Sequence, residues 1–220
     1  MKKLLVVLGL LVLLPGLALA QGTYYVDYFA NNGATAFPPG GAAFTLLDQI
    51  IRIINVGTLG TPLSAPVCPA TGCICANIYV FDADQEMIAC CAASLTPNEL
   101  DSAYVNQQLT YNALQSAAIQ TPTGVIKIVL TPEPTGGCNS AAPLSGADGT
   151  LGAVWATHLQ LPIPLGAIFP PGPYSETESE ERPQTLSAAE ATFLPQACAF
   201  DLYLGSGKGT CTITVSSGQN

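Results

Sequence analysis

The chain has 220 residues, with 15 Asp and Glu against 6 Lys and Arg. Without Lys2 and Lys3 of the leader, the cations are Arg52, Lys127, Arg182 and Lys208. They are too few and too scattered to neutralise a nucleic-acid backbone or to dock on an anionic membrane.

The chain opens with an export signal. Met1-Lys2-Lys3 is a positive n-region, Leu4 to Leu14 an apolar core, and Ala18-Leu19-Ala20 a small-x-small cleavage site, so residues 1–20 are expected to be removed before Gln21. Export places all eight cysteines (Cys68, Cys73, Cys75, Cys90, Cys91, Cys138, Cys198 and Cys211) in an oxidising compartment where disulfides persist. No cysteine sits at the cleavage site, where Gln21 stands, and no second apolar run reaches the roughly 18 residues a membrane helix needs. The expectation is an exported protein without a transmembrane anchor, extracellular or on the cell surface.

The mature chain, with 18 Pro and 21 Gly between short apolar runs, reads as strands and turns. Thr23 to Phe29 is an aromatic strand ending at the turn signal Asn31-Asn32-Gly33. Asn31 to Ala43 is rich in Gly, Ala and Pro, so residues 21–45 are expected to be a strand-bearing arm. Tyr24, Tyr25, Val26, Tyr28 and Phe29 of that arm either complete a neighbouring subunit's sheet or pair within their own sandwich. Residues 46–220 are expected to form one disulfide-reinforced domain.

Ile50 to Val56 is the densest β-branched run. Within it Arg52 is either an edge charge that blocks strand pairing or a partner for Asp48 or Asp27. Ala76 to Phe81 and Met87 to Ala93 flank Asp82-Ala83-Asp84-Gln85-Glu86, the connection of a hairpin. Asp82, Asp84 and Glu86 alternate, so an extended segment would gather them for calcium; the competing reading is a turn stabilised by its own Asp side chains. Met87 stands where a calcium-loop glycine would be.

Count alone leaves the disulfide pairing open. Cys68 and Cys73 flank a turn-rich segment that suits a local loop, and the adjacent Cys90 and Cys91 must point to opposite faces of a strand. A thiolate metal site from Cys73, Cys75, Cys90 and Cys91 is the alternative, without the usual knuckle spacing.

Thr96-Pro97-Asn98-Glu99 is a capping box that predicts a helical turn or two toward Ala103. Gly124 to Thr131 and Gly152 to Leu161 are further strands. His158, the only histidine, shares a face with Val154 and Ala156. A hydrolase triad would have to use it, but the chain has no nucleophile elbow. Leu161 to Pro183, proline-rich and then acidic at Glu176, Glu178, Glu180 and Glu181, reads as an extended, mobile loop. Ser187 to Glu190 is a second capping box whose helix Pro195 should close. Ala199 to Leu204 and Thr210 to Val215 read as closing strands around a glycine-rich turn. That turn is not a phosphate-binding loop, because Leu202 and Gly209 occupy positions that would need Gly and Ser or Thr.

Seven or so short strands with only brief helices predict an all-β fold: an antiparallel two-sheet sandwich. The segments Ile50 to Val56, Cys75 to Cys91, Leu95 to Asn98, Gly124 to Val129 and Gly205 to Cys211 resemble a group of uncharacterised exported bacterial proteins. The strand pattern is similar to immunoglobulin-like domains, which implies a fold and no activity.

These features favour a non-enzymatic exported structural or interaction protein, self-associating or binding another exported protein. An extracellular fibre or surface matrix, built by strand addition through the arm, is its sharpest form. A monomeric calcium- or carbohydrate-binding module is the alternative, and a secreted hydrolase the weaker one. No cofactor is expected apart from calcium at the hairpin.

Overall fold

A computed structural model of the protein describes residues 22–30, 48–61, 67–69, 71–110, 123–160, 175–203 and 209–211. The export signal, the rest of the arm and residues 161–174 lie outside the described residues. The strands are β1 (Thr23–Ala30), β2 (Ile50–Asn55), β3 (Ile74–Asp82), β4 (Met87–Leu95), β5 (Leu100–Tyr104), β6 (Thr123–Pro132), β7 (Gly152–Gln160), β8 (Ser175–Glu180), β9 (Gln184–Thr185) and β10 (Gly209–Thr210). Among the described residues one α-helix, α1 (Ala188–Tyr203), lies between β9 and β10, with single helical turns at Val105–Leu109 and Gly149–Leu151.

The strands form two sheets, one of six strands in the order β10-β4-β3-β6-β1-β9 and one of four in the order β5-β2-β7-β8. Pairing is antiparallel except for the two-residue β10, which runs parallel to β4. The likeness to an immunoglobulin domain is one of sandwich architecture, since that fold divides its strands about four and three.

Period-two alternation builds the core. Tyr25 and Phe29 of β1, Ile74, Ile78 and Val80 of β3, and Ile126, Ile128 and Leu130 of β6 face Ile51, Ile53, Val154 and Ala156 of the smaller sheet. Burial at roughly 25 cal/mol per Å² of apolar surface is what holds the two layers together. β3 is buried on both sides. Its other face, Tyr79 and Phe81, packs with Val129, Leu194 and Cys198 beneath α1, so the sandwich carries a third layer over the six-stranded sheet.

All eight cysteines are paired: Cys68–Cys73, Cys75–Cys138, Cys90–Cys198 and Cys91–Cys211. Cys68–Cys73 is the expected local loop. Cys90 turns outward to α1, while Cys91 turns inward to the C-terminal edge, as adjacent strand residues must. With every sulfur in a disulfide, no thiolate remains for the alternative metal site.

Several expectations change. The first capping box closes a turn instead of opening a helix: Glu99 accepts from the Thr96 amide and hydroxyl, but Asn98 sits at φ +66°, outside helical space, and β5 follows. The second is a true N-cap, with Ser187 Oγ accepting from the Glu190 amide, yet the helix runs 16 residues through Pro195. Pro removes one backbone hydrogen bond there; the Cys90–Cys198 disulfide and the Lys127–Glu190 ion pair tie the helix down on both sides of it. The strand expected at Ala199 to Leu204 is therefore helix up to Tyr203. Finally, residues 175–180 of the expected mobile loop form β8, an edge strand on β7 whose alternating glutamates guard the sheet edge.

Arg52 faces outward, but not from a sheet edge. It lies in the interior strand β2, on the outer face, and pairs with Glu178 of β8. β1 is an interior strand of the six-stranded sheet, paired with β6 from Tyr25↔Ile128 to Ala30↔Thr123 and with β9 at Thr23 and Tyr24. It thus belongs to the sandwich, because Tyr25, Asp27 and Phe29 alternate inward.

Candidate functional site

The alternation that sends Tyr25 and Phe29 into the core also sends Asp27 there, 5% exposed. Across the sandwich, β7 carries His158, partly buried, on the face of Val154 and Ala156. The two meet: His158 Nε2 lies 3.4 Å from Asp27 Oδ1. A carboxylate oxygen of Glu181, just beyond β8, joins them, so the three donor atoms lie within 4.8 Å of one another. The Glu181 amide donates to the Val154 carbonyl at 2.8 Å, which fixes the backbone of that residue beside β7.

Each group is held from behind. Gln49 Nε2 donates to Asp27 Oδ2 at 2.7 Å and to the Tyr28 carbonyl at 3.0 Å, leaving Oδ1 turned toward the imidazole. The Gln49 carbonyl in turn accepts from the Val105 amide at 2.9 Å. The Tyr28 ring stacks on the His158 ring with centroids 5.0 Å apart and planes 19° apart. Burial pushes the Asp27 carboxyl up to about 7, and neighbouring Glu181 adds to the rise; the Tyr28 amide and Gln49 oppose it. Two carboxylates beside one imidazole can share a proton or a cation. For acyl transfer the constellation needs a nucleophile within hydrogen-bond reach, and none is among these partners.

A second feature is a cavity of about 410 Å³ on the outer face of the six-stranded sheet, lined by Cys75, Asn77, Thr131, Glu133, Asn139 and Leu144, among others. Several of its polar groups already have partners. Asn77 donates to the Val129 carbonyl and Thr131 Oγ1, and Glu133 accepts from Ser94 Oγ at 2.7 Å. A third is Asp101 of β5, 3% exposed, whose Oδ1 accepts from the Ser102 amide while Oδ2 has no hydrogen-bond partner among the described residues. Burial raises its pKa to about 6.

The remaining predicted residues fall as follows. Asp82 Oδ1 accepts from the amides of Asp84 and Glu86, both at 2.9 Å, which is the self-stabilised turn of a β3–β4 hairpin with Gln85 at φ +71°. Tyr24, Tyr25, Val26, Tyr28 and Phe29 all lie in β1. Sequence reasoning weighed His158 alone and missed Asp27, Gln49 and Glu181 as its neighbours. The one available signal was Asp27 itself, a charge at an inward position of an aromatic strand.

Comparison with protein-family models, curated proteins and solved structures finds no match to this chain.

Proposed function

We propose that the protein is an exported, non-enzymatic structural subunit that self-assembles at the cell surface or outside the cell by exchanging β1 between copies. The observation that carries this reading is how β1 is seated. It docks on β6 through two inward aromatic anchors: Tyr25, whose hydroxyl contacts the Gly149 and Gly152 carbonyls at 2.6 and 2.7 Å, and Phe29, fully buried. Phe29 lies opposite Gly124, where a Cβ would fall 2.6 Å from the Phe29 ring and 2.0 Å from the Phe81 carbonyl oxygen. Strand and slot are matched in shape, and residues 31–47, which follow β1, carry the Gly, Ala and Pro of a hinge. A neighbour's β1 can make the same register and the same anchors.

Exposed aromatics on α1 support association. Phe193, Phe200 and Tyr203 are 48, 62 and 87% exposed, the kind of surface that contacts a partner. The test is light scattering and negative-stain electron microscopy of the oxidised mature protein beside a variant lacking residues 36–43. The reading expects regular multimers that grow in order or yield when the shortened hinge disfavours the return of β1 to its own sheet. Monomers from both proteins overturn it.

A second reading, a monomeric ligand-binding module, is favoured by the cavity of about 410 Å³. It expects monomers whose melting temperature rises with added glycans or calcium.

A further inference from the structure

We propose that Asp27, His158 and Glu181 form a binding site for a single divalent cation of the zinc class, tying β1 to the opposite sheet.

The distances fit a shared cation better than a direct hydrogen bond. A charge-assisted hydrogen bond between imidazole and carboxylate runs about 2.7–2.9 Å. The observed 3.4 Å between Asp27 Oδ1 and His158 Nε2 is too long for that. It equals the edge of a tetrahedron around zinc: bonds of about 2.0–2.2 Å place neighbouring ligand atoms roughly 3.4 Å apart. The third donor, from Glu181, lies within 4.8 Å of both, a span one ion can bridge with a small adjustment of a partly exposed side chain.

The chemistry of the donors selects the class of ion. Imidazole nitrogen suits zinc and its first-row neighbours, whereas calcium takes six to eight oxygens and magnesium keeps its waters. Two carboxylates and a neutral imidazole around a dication sum to zero, the arrangement that costs least where Asp27 is buried. Three protein ligands also leave a position for water or a further ligand.

The surroundings resemble the outer shell of a metal site. Gln49 holds the non-ligating oxygen of Asp27, and Tyr28 fixes the imidazole plane by stacking. Such supports orient ligands ahead of the ion and contribute about 10–100-fold in affinity. The site joins β1 of the six-stranded sheet to β7 and the β8 end of the four-stranded sheet, so a bound ion clamps the N-terminal strand. This inference stands whether β1 comes from the same copy or from a neighbour.

The experiment is calorimetric titration of the chelator-treated, oxidised mature protein with Zn²⁺, repeated with Co²⁺ as an optical probe. The expected result is one equivalent bound, with visible Co²⁺ absorption of four-coordinate intensity and a rise in melting temperature. His158→Ala should lower affinity at least 100-fold and abolish the Co²⁺ bands. Gln49→Leu should keep the stoichiometry and weaken binding about 10–100-fold, and Asp84→Ala should change nothing. Near-UV circular dichroism identifies any variant that has lost the fold. Absence of saturable binding by the wild type overturns the site, and so does binding of unchanged affinity in a folded His158→Ala variant.

Discussion

Removing the two widest-spanning disulfides separately and together tests how the fold is stapled. Cys90–Cys198 and Cys91–Cys211 close loops of 108 and 120 residues. Taken alone, each would restrict the unfolded chain by about 4.8 kcal/mol on the loop-entropy relation. They are not independent, because Cys90 and Cys91 are neighbours. With Cys91–Cys211 intact, Cys90 and Cys198 are already connected through a path of roughly 14 residues, so the second bond closes a short loop and contributes only about 3 kcal/mol. The same holds in reverse. Cys90→Ala/Cys198→Ala and Cys91→Ala/Cys211→Ala should therefore each lose about 3 kcal/mol, whereas the quadruple variant should lose about 8 kcal/mol. The excess over additivity, about 2 kcal/mol, is free of the local packing cost of each substitution, which enters both sides of the cycle. Guanidinium unfolding followed by far-UV circular dichroism measures all four proteins. A quadruple variant that loses no more than the sum of the two pairs would refute the reasoning.

Three further outcomes follow from single contacts. Gly124→Ala should destabilise the domain by about 1–3 kcal/mol in the same unfolding assay, since the new methyl meets the Phe81 carbonyl at 2.0 Å and overpacking costs that much. Tyr25→Phe removes the hydroxyl bonded to Gly149 and Gly152 and should cost about 1–3 kcal/mol, because buried carbonyls lose their donor. Asp101 has its folded pKa raised to about 6, so the fold binds its proton more tightly than the unfolded chain does, and stability falls as pH rises from about 4 through 6. Asp101→Asn should flatten that decline and gain on the order of 2 kcal/mol at pH 8, read from urea midpoints across pH.

The sandwich was legible because alternation survives in single strands. Ile126, Ile128 and Leu130 face inward, with Lys127 and Val129 on the opposite face, and the opposite faces of Cys90 and Cys91 required nothing more than strand geometry. The errors arose where a local signal was overruled from a distance. The Thr96 box makes its hydrogen bonds, but Asn98 bonds its amide to the Asn55 carbonyl and turns the chain into β5. Pro195 reads as a helix end, yet the disulfide at Cys198 carries the helix on. The glutamates of β8 look like loop composition until β7 supplies a partner and Arg52 a countercharge. The candidate site was the least legible part. Asp27 and His158 belong to different sheets, and only the packing of one sheet on the other brings them together.

The most direct test of β1 exchange is to trap the strand where it pairs. Ala30→Cys and Thr123→Cys place thiols at a register pair of β1 and β6. Equal amounts of ¹⁵N-labelled and unlabelled protein are mixed, unfolded with native disulfides intact, refolded, oxidised, and read by mass spectrometry of the disulfide-linked peptides. Exchange predicts heavy–light linked peptides alongside heavy–heavy and light–light species. Linkage confined to heavy–heavy and light–light peptides would mean that β1 always returns to its own sheet, and would contradict the proposal that this strand joins one subunit to the next.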